Sequence, residues 1–270
     1  MDKDNNKKNS MDMLNGTIWN KLPKFALPIA ATGILEQLFN ASDIAIVGQF
    51  TGSNSTVSVA AVGANSPIIG LIVNLFIGIA LGSNVIIANS IGKNDVKAVK
   101  KAVHSSIIMA VLGGILVAII GELMVGGLLN MLNVPEDVLD FAKLYIRIYL
   151  IGMPVILLYN FEAAIFRSIG DTKVPLIALA FSGVLNVILN LFFVIVLKMT
   201  VNGVALATVI SNAVSASILF AKLLKTDKII HIELNQLRLD KISVINILKI
   251  GLPAGIQSAV FAIYFTYYYT

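Results

Sequence analysis

The sequence predicts an all-α polytopic membrane protein: a bundle of six transmembrane helices followed by the start of a seventh. Hydrophobic residues make up 57% of the 270 residues and charged residues only 13%, about half the charged share of an ordinary soluble domain. Mean hydropathy is +0.87, and no soluble core of this size could bury so much apolar surface. This composition excludes a soluble enzyme, a disordered chain and a nucleic-acid-binding domain, despite a net charge of +5.

The apolar runs give the number of helices. Each is long enough to cross about 30 Å of hydrocarbon at about 1.5 Å per residue, and none alternates like a transmembrane strand. The six runs are residues 25–47, 59–91, 103–132, 138–161, 174–197 and 201–224, and a seventh begins near residue 244. The first 24 residues lack the apolar segment of a secretory signal peptide.

These runs predict four segments: a cytoplasmic tail (1–24), a six-helix lobe (25–224), a cytoplasmic linker (225–245) and the first helix of an incomplete second lobe (246–270). We expect part of the linker to form an amphipathic stretch on the membrane surface. The motif KFALP at 24–28 returns as KIGLP at 249–253, and repeated halves are common in secondary transporters. The repeat favours a truncated chain over a genuine end at the Tyr-rich residues 264–270.

Basic residues alternate between the predicted loops. Seventeen of the 20 Lys and Arg residues fall in the N-terminal tail and in the second, fourth and sixth loops. The remaining three are Lys143, Arg147 and Lys198. The positive-inside rule then places the N-terminus in the cytoplasm of a multi-pass protein of the cell membrane.

Several kinds of chemistry have no residues to support them. The chain has no Cys and only two distant His residues, which excludes disulfides, thiolate catalysis and Cys-based metal sites and argues against His-based ones. The sequence also lacks zinc-protease, phosphate-loop and serine-hydrolase motifs. We therefore expect no enzyme, no organic cofactor and no nucleic-acid partner, only the lipid bilayer and a small molecule. Gly78 and Gly82, at helical spacing, indicate close helix packing.

Polar residues inside the spans are the candidates for function, because a charge in hydrocarbon is costly. Asp43 and Glu36 lie seven residues apart on one face of the first helix, and Gln37 and Asn40 widen that polar stripe. We interpret Glu36, Gln37 and Asn40 as auxiliary groups.

Two later helices add polar pairs at the same spacing. The fifth helix carries Asn186 and Asn190, four apart on one face, and the sixth carries Thr208. Counting about 1.5 Å per residue, Asp43 lies about 27 Å from the cytoplasm, Asn190 about 24 Å, and Asn186 and Thr208 about 18 Å. These overlapping depths predict one site in the outer half of the lobe. A single carboxylate with amide and hydroxyl oxygens suits a proton or a hard monovalent cation.

Structural roles compete with these assignments. Asn and Thr often serve only as interhelical hydrogen-bonding groups, and Asp43 and Glu36 could be paired acids. Glu162 precedes Arg167 near the inner boundary, which favours a local ion pair. Pro28 either bends the first helix or provides a hinge in it.

An ordered set of segments resembles the multidrug and toxic compound extrusion (MATE) family. The segments are LP at 27–28, NASDIAIVG at 40–48, AAVG at 60–63, GKND at 92–95, FRSIGDTK at 166–173, NVILN at 186–190 and GVALAT at 203–208. The resemblance covers about residues 22–257, as the first lobe, the linker and the opening of one further helix.

The resemblance implies an exporter of two six-helix lobes that exchanges Na⁺ or H⁺ for amphipathic, often cationic drugs. In the DinF-like branch it implies a cation or proton site at Asp43, Asn186, Asn190 and Thr208. Asn190 stands where that site commonly has a second Asp, which leaves Na⁺ and H⁺ both open as the coupling ion and gives Glu36 a possible compensating role. Two alternatives stay open: an inactive truncated product, which could act only as a homodimer, and a related flippase for lipid-linked saccharides.

Overall fold

The computed structural model of the chain describes residues 18–269, with side chains placed for residue 19 and for residues 22–261. Most of the predicted N-terminal tail, residues 1–17, therefore lies outside the described residues, and so do the side chains of the Tyr-rich end.

Eight α-helices and no strand make up the described part of the chain. The helices are α1 Ile18–Phe50, α2 Ser55–Gly92, α3 Val96–Met131, α4 Glu136–Ile151, α5 Met153–Ser168, α6 Lys173–Leu191, α7 Val201–Lys225 and α8 Lys241–Tyr269. A π-helical stretch, Phe192–Val196, extends α6, and two short 3₁₀ turns lie at Gly52–Asn54 and Leu234–Gln236.

The predicted membrane spans correspond to these helices, with one bend and one exception. Within the described residues, five helices are long and apolar enough to cross a membrane, and there are six spans if α4 and α5, bent by 50° at their junction, are counted as one. The bend falls at Gly152, and Pro154 stands in the first turn of α5, where a proline is tolerated because a backbone N–H there would have no acceptor within the helix. The exception is α1, which has 33 residues but is less apolar than the other spans, because its polar side chains lower its hydropathy.

The two ends of the lobe differ in charge. We call the end with the loops at 92–96, 168–173 and 225–241 the basic end, and the end with the loops at 51–55, 131–136 and 196–201 the opposite end. One apolar core, which includes Ile46 and Val47, lies toward the opposite end. A second core, which includes Val99 and Leu223, lies toward the basic end. Helix α1 packs against α6 and α2, and this arrangement buries Asp43 against the later helices.

Turn residues at the basic end explain two of the sequence motifs structurally. In GKND, the Asp95 carboxylate accepts a hydrogen bond from the Ala98 N–H at 3.0 Å and so caps α3. In FRSIGDTK, Gly170 has φ +76°, a conformation that glycine adopts without steric cost. Asp171 next to it accepts from the Val174 N–H at 3.3 Å. These motif residues therefore shape helix starts.

The linker between α7 and α8 differs from the expected amphipathic surface stretch. Its longest helical piece in residues 226–240 is the three-residue turn Leu234–Gln236. Ile230 and Ile232 are fully buried in the core at the basic end. Burying these two side chains in protein removes the apolar face that a membrane-surface helix would need.

Candidate ion-binding site

Asp43 lies on α1, seven residues before that helix ends at Phe50. Its side chain is only 3% exposed, on the face that α1 turns toward α6 and α7. A carboxylate this far from water needs partners, because an unpaired buried charge is strongly disfavoured. Both of its oxygens have such partners.

Four side chains from three helices form a closed hydrogen-bonded cluster. The Asn190 amide nitrogen donates to Asp43 Oδ1 at 2.5 Å and to Asn186 Oδ1 at 3.1 Å. The Thr208 hydroxyl donates to Asp43 Oδ2 at 3.1 Å and accepts from the Asn186 amide nitrogen at 3.3 Å. We call these four residues the Asp43 cluster. The structure thus brings together all four residues that the sequence singled out by depth.

Helix geometry explains why the cluster closes. Asn186 and Asn190 are one helical turn apart on α6, so both amides point the same way. Thr208 stands on the antiparallel neighbour α7, which packs along α6. Asp43 lies on α1, so side chains from all three helices meet in one polar cluster.

One acceptor in the cluster is left without a partner. Asn190 Oδ1 is buried and has no hydrogen-bond donor among the residues that the structure describes. A buried unsatisfied amide oxygen is unfavourable, and a rotation of this amide would turn the oxygen, in place of the nitrogen, toward an ion bound at Asp43. The cluster therefore offers oxygens from a carboxylate, amides and a hydroxyl, which is the ligand chemistry of a hard monovalent cation. The single carboxylate could alternatively take up a proton.

The cluster contains one acidic group. Within the described part of the chain, no set of three or more His, Cys, Asp or Glu side chains lies together as a metal site would require. A charge of at most −1 suits a proton or a monovalent ion better than a divalent metal, which usually has several carboxylate ligands.

The auxiliary residues lie apart from the cluster. Gln37 and Asn40 are exposed on the surface of the lobe. Glu36 is half-buried and stands two helical turns, about 10 Å, from Asp43 along α1. None of the three has a hydrogen bond to the cluster among the described residues. Pro28 lies within the continuous helix α1, where its carbonyl accepts from the Thr32 hydroxyl at 2.9 Å.

Two tyrosines on α4 were missed by the sequence reasoning. Tyr145 is 5% exposed, and its ring centroid lies 6.1 Å from that of Tyr149. Tyr145 belongs to the apolar core that also holds Ile46 and Val47 of α1, and Tyr149 packs against that core. A signal was available, because the two residues are four apart on an amphipathic helix.

A further acidic residue within the spans, Glu122, is paired. Glu122 on α3 accepts from Arg147 of α4 at 2.9 Å, and both side chains are about half exposed. This pair belongs to the surface near the opposite end, so it takes no part in the cluster.

Comparison with known proteins identifies the family. The MatE family model matches residues 28–192, a range that includes Asp43, Asn186 and Asn190. The chain belongs to the MatE family.

Its relatives are named for drug resistance. The chain is 28% identical to the probable multidrug resistance protein YoeA of Bacillus subtilis, over 89% of this chain and 53% of that protein. It is also 28% identical to the probable multidrug resistance protein NorM of Thermotoga maritima, over 90% of this chain and 52% of that protein. The chain spans about half the length of the curated relatives it matches.

The fold agrees with the family. A crystal structure of a MATE protein in the bent conformation superposes with a TM-score of 0.81 at 25% identity, covering 89% of this chain and 53% of that one. MatE proteins are transporters rather than enzymes, and the apolar helices make this chain a multi-pass membrane protein.

Proposed function

We propose that this chain is the first lobe of a cation-coupled antiporter that exports amphipathic, often cationic compounds across the cell membrane. The single observation that carries the proposal is the Asp43 cluster, in which one buried carboxylate and three uncharged polar side chains meet inside an apolar bundle. Buried ionisable groups in membrane helices commonly mark ion or proton pathways. The names of the relatives support drugs as the exported class.

The coupling ion binds at Asp43 in this proposal. When the ion is Na⁺, oxygens of Asp43, Asn186, Asn190 and Thr208 coordinate it. When it is a proton, Asp43 takes the proton and the amides keep the neutral acid hydrogen-bonded. Protonation removes the negative charge that accepts hydrogen bonds from α6 and α7, so it frees α1 to change its bend near Pro28. Na⁺ instead replaces those hydrogen bonds by coordination and keeps the three helices together. The charge pattern supports a cytoplasmic N-terminus, with the cluster in the outer half of the lobe.

The test is transport by the purified chain in liposomes. A cationic fluorescent dye is loaded, a Na⁺ or pH gradient is imposed, and dye efflux is followed for the wild type and for Asp43→Asn. The proposal expects gradient-driven efflux in the wild type that is lost in Asp43→Asn. The matched control, Asp140→Asn, changes an exposed aspartate of α4 and should keep full efflux.

The half-length match makes the oligomeric state part of the test. Two copies could supply the two lobes of a transporter, and such a homodimer should survive as a stable complex in mild detergent. Efflux that persists unchanged in Asp43→Asn would refute the assignment of the site. Ion binding without efflux would show that one lobe binds the ion but does not transport alone.

A further inference from the structure

A second acidic side chain, Glu162 of α5, is completely enclosed by the lobe. Its exposure is 0%, and neither carboxyl oxygen has a hydrogen-bond partner among the described residues. The expected ion pair with Arg167 is wrong: within the part of the chain that the structure describes, Arg167 forms no salt bridge to it. Residues five apart point to different sides of a helix, which explains why the two charges do not meet.

The surroundings of Glu162 on α5 are apolar. Phe161 and Ala164 belong to a small core shared with Ile247 of α8. Ala163, on the other side, belongs to the larger core at the basic end. Water is therefore not at hand to solvate a charge at this position.

The helices packed around α5 bring no counter-charge to Glu162. Helix α5 packs against α2, α3, α4, α6 and α7, and α2 contains no ionisable residue at all. On these helices, on α5 itself and on α8, which shares the core with α5, no ionisable group with a placed side chain forms a hydrogen bond or salt bridge to Glu162. These groups are Lys97, Lys100, Lys101, His104 and Glu122 on α3; Glu136, Asp137, Asp140, Lys143, Tyr145, Arg147 and Tyr149 on α4; Lys173 on α6; Lys222 and Lys225 on α7; Lys241 and Lys249 on α8; Tyr159 and Arg167 on α5. Tyr159, one turn away, directs its hydroxyl to the Pro175 carbonyl at 3.3 Å.

Glu162 and Asp43 occupy opposite halves of the lobe. Glu162 stands six residues before the basic end of α5, about 9 Å along the axis, and Asp43 stands seven residues before the opposite end of α1, about 10 Å. The Asp43 carboxylate has two hydrogen-bond donors, whereas Glu162 has none in the described residues. The two acids are therefore separate sites with different chemistry.

We propose that Glu162 is a second proton-binding site of this lobe, on the basic side of the Asp43 cluster. An enclosed carboxylate without donors or counter-ions is far less favourable than the neutral acid. Glu162 therefore holds a proton while α5 is packed as described, and it releases that proton to water when a movement of α5 opens the site.

The assignment of proton binding stands on the geometry of Glu162, whereas its use in coupling rests on the proposed function. The experiment is infrared difference spectroscopy of the full chain in lipid nanodiscs, titrated with pH. Protonated carboxylic acids give a carbonyl stretch that carboxylates lack. We expect a Glu162 band in the wild type at neutral pH that disappears at alkaline pH, is absent from Glu162→Gln and persists in Asp43→Asn.

Two results would overturn the proposal. One is a wild-type spectrum without any band that Glu162→Gln removes, which would mean that the group is charged. The other is a band that stays constant over the whole pH range in which the chain is folded, which would mean that the proton never exchanges. If both Asp43→Asn and Glu162→Gln keep full ion-dependent efflux, the proposed function is refuted. The assignment of the infrared band to Glu162 would still stand.

A second variant keeps the test decisive if Glu162→Gln fails to fold. Glu162→Leu replaces the acid by an apolar side chain of similar size. An enclosed neutral acid without partners predicts an unchanged or raised thermal midpoint for this variant. A lowered midpoint would show that the carboxyl has a stabilising partner, and it would contradict the proposal.

Discussion

Asp43 receives its two hydrogen bonds from two different helices. Asn190 donates from α6 and Thr208 from α7, so the carboxylate connects three helices at one point. Each donor can be removed separately, because the two bonds end on different oxygens. Substitutions that remove one donor at a time can therefore show which side chains an ion contacts.

Removing the Thr208 hydroxyl should weaken ion binding in the Asp43 cluster. Thr208→Val keeps the shape of the side chain but removes the hydroxyl oxygen that coordinates Na⁺ in the proposed site. We expect a fall in Na⁺ affinity of at least about tenfold, which corresponds to about 1.4 kcal/mol. Isothermal titration measures it. Thr208→Ser retains the hydroxyl and should bind as the wild type does; equal losses in Ser and Val would contradict the prediction.

Asn190 decides how much negative charge the cluster holds. Asn190→Asp would place a second carboxylate beside Asp43, where the Asn190 nitrogen now lies 2.5 Å from Oδ1. Two acids this close cannot both ionise without a cation or a shared proton. We expect at least about tenfold tighter Na⁺ binding, or about 1.4 kcal/mol. Asn160→Asp, at a half-buried amide of α5 that bonds only its own helix, is the control, and an unchanged affinity in Asn190→Asp would be the contrary result.

At the scale of helices, α2 and α8 approach each other through glycines. A Cβ on Gly82 would collide with the backbone of Ile247 and Gly251, and one on Gly78 would collide with Gly255. The pairs 78 with 255 and 82 with 251 run in antiparallel register. Small residues of this kind let membrane helices pack backbone to backbone.

Gly82→Ala should therefore destabilise the lobe. Alanine normally favours a helix over glycine by about 1 kcal/mol, but here overpacking should cost about 1–3 kcal/mol. We expect a lower thermal midpoint in detergent. Gly63→Ala on the same helix is the matched control, because a Cβ there meets nothing within 4 Å, and its midpoint should stay or rise. A midpoint for Gly82→Ala at or above that of the wild type would contradict this packing.

The linker is attached to α3 by charged and uncharged contacts. Lys100 pairs with Glu233 at 2.5 Å and Lys101 with Asp240 at 3.0 Å. The hydrogen bond from Lys100 holds the pKa of Glu233 below its usual value. The Ser243 backbone N–H, with Lys101 next in effect, lowers the pKa of Asp240. Both carboxyls are thus stabilised in their charged forms.

Acid should loosen this attachment. Because both pKa values are lowered in the folded chain, the stabilisation is fully present above the ordinary carboxyl values of about 4 and is lost as pH falls through the lowered values. We expect hydrogen-exchange protection of residues 226–240, corrected for the intrinsic rate, to be constant near neutral pH and to fall below about pH 4. A Glu233→Gln, Asp240→Asn variant should show weak protection with no such pH step. A step of equal size in that variant would contradict the assignment.

At the scale of the whole molecule, periodicity and composition predict most of the fold. The apolar runs locate the helices, and the spacing of Asn186 and Asn190 with the depth of Asp43 predicts which side chains meet. These two predictions agree with the structure because an α-helix has a fixed rise and a fixed rotation per residue. The depth of a side chain in the membrane and the helix face it lies on therefore follow from its residue number.

The remaining features depend on packing between distant segments. The amphipathic pattern of the linker does not reveal that Ile230 and Ile232 insert into the core at the basic end. Neither does the spacing of Glu162 and Arg167 reveal that the acid turns inward. The exposure of Gln37 and Asn40 likewise depends on which helices pack against α1. The sequence alone does not show which helices these are.

The most direct test of the central claim is ion binding at Asp43. Purified chain is titrated with NaCl at fixed pH while heat and proton release are recorded, for the wild type, Asp43→Asn and the exposed control Asp140→Asn. We predict Na⁺ binding or proton exchange in the wild type and the control, and its loss in Asp43→Asn. Equal binding in all three proteins, or no binding in the wild type, would contradict the Asp43 cluster as the ion site of this lobe.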